Sequence, residues 1–104
     1  MEKERKYKYY QIRFWFIPEV MDNFGDLAHI QVDKYLKELF TSDMEKLLFI
    51  SQKEVDEFFS KGFNVKRVYV SKENHEKWKS LPNSIKKRLY YLINKKLLEV
   101  LNHE

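Results

Sequence analysis

Apolar and polar residues alternate over residues 9–17, which predicts a half-buried β-strand. Successive side chains of a strand point to opposite faces. The core-facing set is therefore predicted to be Tyr10, Ile12, Phe14 and Phe16. The outward set is Tyr9, Gln11, Arg13 and Trp15. Pro18 then ends the strand or opens a helix, because proline lacks a backbone donor.

Helical spacing replaces this alternation after Pro18. Val20, Phe24 and Leu27 share one face of a short helix that Gly25 weakens. A longer amphipathic helix is predicted from residue 32, with an apolar face made of Val32, Tyr35, Leu36, Leu39 and Phe40.

The same order of strand, short helix and longer helix returns 54 residues later. Arg67 and Tyr69 are predicted to face outward from the second strand, and Ser71 is predicted to cap the short helix that follows. Ser84 is predicted to cap the longest helix. Its inner stripe is Ile85, Leu89, Leu92, Ile93, Lys96 or Leu97, Val100 and Leu101, and its outer face is Lys87, Arg88, Tyr91 and Lys95.

The two halves match in residue class, with Arg13 aligned on Arg67 and Phe14 on Val68. Such a duplication predicts an α+β fold in which two strand-helix-helix repeats form an intramolecular pseudo-dimer. The first repeat spans about residues 9–41, and the second spans about residues 65–102.

The linking segment, residues 42–64, is compatible with two structures. A strand over residues 47–50 followed by a helix is favoured, because the apolar run directly precedes the capping box from Ser51 to Glu54. A single helix from Met44 through Phe59 also keeps the helical period. The extra strand gives an alternative fold, a small three-stranded α/β sheet with strands over residues 9–17, 47–50 and 65–70.

Composition indicates one domain, residues 1–104, in an intracellular, cytoplasmic protein without a membrane span. The chain has no cysteine, which excludes disulfides, thiolate nucleophiles and cysteine zinc sites. Its net charge is +4, yet residues 65–104 alone carry +6. An anionic partner would bind there, although a solvated lysine-rich surface accounts for the same charge.

The sequence offers no catalytic motif, so we expect no enzymatic activity and no cofactor. Asp22, Asp26 and His29 have helical spacing and are conceivable ligands of a divalent metal. A solvated acidic helix face is the favoured interpretation, and no metal site is predicted.

The stretch RVYVSKENHEKWKSLPNSIKKRLYYLINKKLLEVL, residues 67–101, resembles the ribbon-helix-helix family of DNA-binding proteins, many of which come from plasmids and viruses. The resemblance extends to IRFWFIPEVMDNFGDLAHIQVDKYLKELF, residues 12–40. It implies a transcription regulator whose paired strands enter the major groove of duplex DNA. The base-facing residues would be Gln11, Arg13, Arg67 and Tyr69, and free amides at the start of the last helix would meet a phosphate beside Ser84, Lys86 and Lys87.

Two features depart from that pattern. The first repeat is acidic over its helices, and Trp15 stands where a polar base-reading residue is expected. We therefore expect Trp15 to pack beneath the linking segment. The alternative function is a small viral or plasmid protein-protein interaction module, which captures a protein or peptide partner in a groove or along an exposed strand edge. The chain would act as a monomeric pseudo-dimer or as a homodimer.

Overall fold

A computed structural model describes residues 10–41 and 44–102, so Tyr9, the first residue of the predicted strand, lies outside the described part. The elements, in chain order, are β1 Gln11–Phe16, α1 Pro18–Phe24, α2 Leu27–Thr41, a 3₁₀ helix Met44–Phe49, α3 Gln52–Phe59, β2 Asn64–Tyr69, α4 Lys72–Lys79 and α5 Asn83–Asn102. The predicted mixed α+β fold is confirmed. No helix in the described ranges has the length and apolar character needed to cross a membrane.

β1 and β2 form a two-stranded antiparallel ribbon. Its inner face follows the predicted alternation, since Ile12, Phe14 and Phe16 are buried while Arg13 is exposed between them. On β2, Val68 is buried and both of its neighbours are exposed. The ribbon therefore has one apolar face on the core and one face toward solvent.

The helices pack on the inner face of the ribbon and complete a single core. Phe14 lies at its centre, with its ring 4.8 Å from that of Tyr90 and 5.9 Å from that of Trp78, measured between centroids. The fully buried aliphatic side chains include Val32 and Leu36 from α2 and Leu89, Ile93 and Leu97 from α5.

Several helix ends lie where the sequence places them. Pro18 occupies the first turn of α1, and Gly25, with φ 51°, ends it. Ser51 Oγ accepts a hydrogen bond of 3.0 Å from the Glu54 amide, and Ser71 Oγ accepts one of 3.2 Å from the Asn74 amide. These side-chain caps satisfy amides that have no partner within their own helices.

The predicted strand over residues 47–50 is wrong, because residues 44–49 form the 3₁₀ helix. Leu47 is fully buried, whereas the next two residues, Leu48 and Phe49, are 71% and 87% exposed. The described strands form a sheet of two strands, so the three-stranded α/β alternative is wrong as well. Helix side chains hydrogen-bond to the outer edges of both strands, where a third strand would have to pair.

The helices also differ from prediction in their starts and buried faces. α2 begins at Leu27, which is 61% exposed rather than packed inward. α5 begins at Asn83, so Ser84 lies inside the helix and does not cap it. Tyr91, predicted to face outward, is buried because its ring packs on Phe58.

Candidate nucleic-acid interface

Side chains of α5 cover the outer edge of β1. Tyr90 Oη donates a hydrogen bond of 3.2 Å to the Arg13 carbonyl, and Asn94 Nδ2 donates one of 2.8 Å to the Trp15 carbonyl. Asn94 Oδ1 accepts a bond of 3.1 Å from the Ile17 amide. Backbone groups that would otherwise be free to pair with another chain are thus satisfied.

α2 covers the outer edge of β2 in a similar way. The Tyr69 amide donates to His29 Nδ1 at 3.0 Å, and the Ser71 amide donates to Asp33 Oδ1 at 2.9 Å. Asn74 Nδ2 reinforces this contact with a bond of 2.7 Å to the same Asp33 oxygen. Helix side chains thus occupy both edges of the ribbon at these positions.

The outer face of the ribbon brings four predicted base-facing residues together. Arg13 is the direct cross-strand partner of Arg67, and Gln11 is the partner of Tyr69. The Val70 amide donates to the Tyr10 carbonyl at 2.9 Å, so the Arg13–Arg67 pair falls at a position without ladder hydrogen bonds. At such positions the two Cα atoms are about 4.5 Å apart and the side chains are at their closest.

This pair of arginines gives the outer face an uncompensated positive charge. Both side chains are exposed, and neither has a hydrogen-bond or ion-pair partner within residues 10–41 and 44–102. Like charges directly opposite each other destabilise a sheet. The nearby Lys66 differs, because its Nζ lies 3.6 Å from an oxygen of Asp26.

Trp15 closes one end of the same face. Its ring stacks on Phe63 at 4.0 Å between centroids and meets Phe59 of α3 edge-on at 5.3 Å. The expectation that Trp15 packs beneath the linking segment is therefore confirmed. The open part of the face lies at the other end, around Gln11 and Arg13.

Two amides at the amino end of α5 have a partner within the same turn. The Ile85 and Lys86 amides both donate to the Pro82 carbonyl at 3.1 Å, and the Ser84 carbonyl accepts from Arg88 Nη1 at 2.9 Å. Lys86 and Lys87 lie over different aromatic rings. Lys86 Nζ lies 5.7 Å from the centroid of the Trp78 ring, whereas Lys87 Nζ lies 5.9 Å from that of Trp15.

No protein-family model, no curated protein and no solved structure matches this chain.

Sequence reasoning missed two residues that lie beside the ribbon. His75 and Lys79 of α4 line a depression of about 560 Å³ together with Gln11, Arg13 and Lys86. Their separation by four residues on a helix is the signal that would have placed them on one face.

His29 takes part in the fold rather than in a metal site. Its ring stacks on Tyr69 with centroids 5.3 Å apart. Burial, assisted by the charge of Lys66, lowers the pKa of His29, while Asp26 acts in the opposite direction. Asp22, Asp26 and His29 do not form a metal-binding cluster, and no group of three such ligands occurs in the part of the chain that the structure describes.

Proposed function

We propose that this protein binds duplex DNA through the outer face of the β1–β2 ribbon and acts as a regulator of ribbon-helix-helix type. The observation that carries the proposal is the register, which sets Arg13 opposite Arg67 on an exposed face, with no compensating carboxylate among residues 10–41 and 44–102. Two apposed cations weaken a ribbon in isolation. A polyanion laid across the face would relieve that repulsion.

The side chains on the face suit base recognition. The major groove of B-DNA admits a two-stranded ribbon. Each arginine carries a planar fork of donors that matches the acceptor edge of guanine, and Gln11 can pair with adenine. Tyr69 is 44% exposed and stacked on His29, so its ring is held at the rim of the face.

We further infer that the two strand-helix-helix halves form an internal pseudo-dimer. A shift of 54 residues converts Arg13 into Arg67, and these residues are direct partners, so an axis between them would exchange the strands. The same shift pairs Phe14 with Val68, both fully buried in one core. One chain would then present two half-sites.

The proposal is tested by fluorescence anisotropy with labelled mixed-sequence duplexes of about 20 base pairs, roughly two helical turns. Binding should weaken steeply between about 50 mM and about 200 mM salt. The double variant Arg13→Ala/Arg67→Ala should lose binding. Lys53→Ala is the matched control. Lys53 is exposed near the amino end of α3, about 9 Å along the helix axis from Phe59, the residue of this helix that contacts Trp15.

If the double variant binds as tightly as the parent chain, the ribbon is not the interface. The DNA-binding proposal would also fail if no duplex binds below tens of micromolar at low salt.

A protein-protein interaction module without enzymatic activity is the second candidate. It is favoured by the 3₁₀ helix, in which the consecutive residues Leu48 and Phe49 are 71% and 87% exposed to solvent. A second copy of the chain is the simplest partner to test, by sedimentation over a range of concentrations. Phe49→Ser should abolish any self-association without lowering stability, whereas a concentration-independent monomer would remove this homotypic form.

A further inference from the structure

We propose that the depression between β1, α4 and α5 binds phosphates of the DNA backbone. The chain would contact the DNA backbone on this flank of the ribbon only. This inference rests on the proposed function and adds a second, sequence-independent contact to it.

The depression continues directly from the outer face of the ribbon. Gln11 and Arg13 belong to both surfaces, and the far wall consists of His75, Lys79 and Lys86. A duplex seated on the arginine pair would therefore extend one of its strands toward α4 and α5. The volume, about 560 Å³, leaves room for a sugar-phosphate segment.

The charge of the depression suits a phosphate. Its lining, as far as the structure describes the chain, contains three residues with a permanent positive charge, Arg13, Lys79 and Lys86, and no carboxylate. The Lys86 ammonium lies 5.7 Å from the centroid of the Trp78 ring, within the range of a cation–π contact. Such a contact favours a fixed position for the charge, so less side-chain freedom is lost on binding.

The hollow on the opposite flank, beside β2, has a different lining. The hollow beside β2 is lined by His29, Ile30, Asp33, Tyr69, Val70 and Ser71, in which the charged side chain is a carboxylate. Lys66, on the same strand, already pairs with Asp26. Leu27 and Ile30 are 61% and 65% exposed there, so this flank presents apolar and acidic groups. Among the described residues that line this hollow, none is a lysine or an arginine.

The first test removes one cation from the depression. Lys79→Ala should weaken binding to all labelled duplexes alike and lower the slope of log affinity against log salt by about one unit. Sequence preference should not change, because phosphate contacts carry no sequence information. Lys79→Arg should restore the slope, and Lys53→Ala should leave it unchanged. Lys79 is exposed, so its variants should unfold at the temperature of the parent chain.

The second test maps the contacted phosphates by ethylation interference on a bound duplex. Phosphates whose ethylation blocks binding should lie on one side of the base pairs that the arginine pair contacts. Blocking phosphates placed symmetrically on both sides, or an unchanged salt slope for Lys79→Ala, would overturn the proposed phosphate contact on one flank. In either case, binding that still depends on Arg67 would leave the proposed function standing. A parent chain that binds no duplex would refute both.

Discussion

Arg13 and Arg67 illustrate a residue choice that folding alone does not explain. They are direct cross-strand partners, exposed, and without a carboxylate partner in the described ranges. A sheet selected for stability would place opposite charges or β-branched residues at such a position. The proposed binding of DNA would account for this pair.

Replacing Arg67 by Lys tests whether its planar fork matters rather than its charge. Lysine keeps the charge but cannot make two parallel bonds to guanine. We expect discrimination between a preferred duplex and one with a substituted guanine to fall by about 1–3 kcal/mol. The salt slope should stay the same, as measured by anisotropy titration. The conservative exchange Lys87→Arg, outside the arginine pair, should alter neither quantity.

His29 should make stability depend on pH. His29 Nδ1 accepts a hydrogen bond from the Tyr69 amide, and burial lowers the pKa of His29 from the usual 6.5. The unfolded chain then binds a proton more readily than the native chain, so stability is complete above about pH 6.5 and falls as the pH drops below it. Urea unfolding at about pH 7.5 and about pH 5.5 measures the difference.

The variant His29→Asn keeps an acceptor near the Tyr69 amide but does not titrate. It should show a smaller loss of stability between the two pH values. An equal loss in parent and variant would show that another group is responsible.

At the scale of elements, α5 both fills the core and closes the edge of β1. Asn94 is fully buried and bonds to the Ile17 amide and the Trp15 carbonyl. Asn94→Ala would leave these groups unsatisfied, so we expect a loss of about 1–3 kcal/mol in the free energy of unfolding. Asn23→Ala, which removes an exposed bond within α1, should have little effect. Similar losses in both variants would contradict this role.

The buried face of α5 can be tested with a pair of alanine substitutions. Leu89 is fully buried, so Leu89→Ala should cost about 2–5 kcal/mol through lost transfer energy and a cavity. Lys95 is exposed, and Lys95→Ala should change stability by less than about 0.5 kcal/mol. Chemical denaturation of both variants gives the comparison. Equal destabilisation would mean that the helix is packed through a different face.

At the scale of the molecule, the two halves depend on each other. β1 and β2 are far apart in the sequence but pair with each other. α5, from the second half, covers the edge of β1, and α2, from the first half, covers the edge of β2. Fragments 1–62 and 63–104 should therefore be largely unfolded alone and should regain structure when mixed. Circular dichroism of the separate and mixed fragments measures this. Cooperative unfolding of either fragment alone would show an independent domain.

Local signals in the sequence determined much of the secondary structure. The alternation from Ile12 to Phe16 sets one strand face, and the capping residues Ser51 and Ser71 set two helix starts. Each of these signals acts within a few residues, through backbone geometry or a short hydrogen bond. The alternation alone therefore predicts outward strand positions for Gln11, Arg13, Arg67 and Tyr69, whatever the fold.

Tertiary packing decided what those local signals left open. Residues 47–50 have the composition of a strand, yet both ribbon edges are occupied by helix side chains, and residues 44–49 form a 3₁₀ helix. Tyr91 is buried because Phe58 and Glu54 of α3 pack against it, a contact made across more than thirty residues. The pairing of Arg13 with Arg67, and the gathering of Lys79 and Lys86 beside it, likewise depend on contacts between distant segments. Periodicity assigns a residue to a face of its own element, but only the packed chain determines what that face meets.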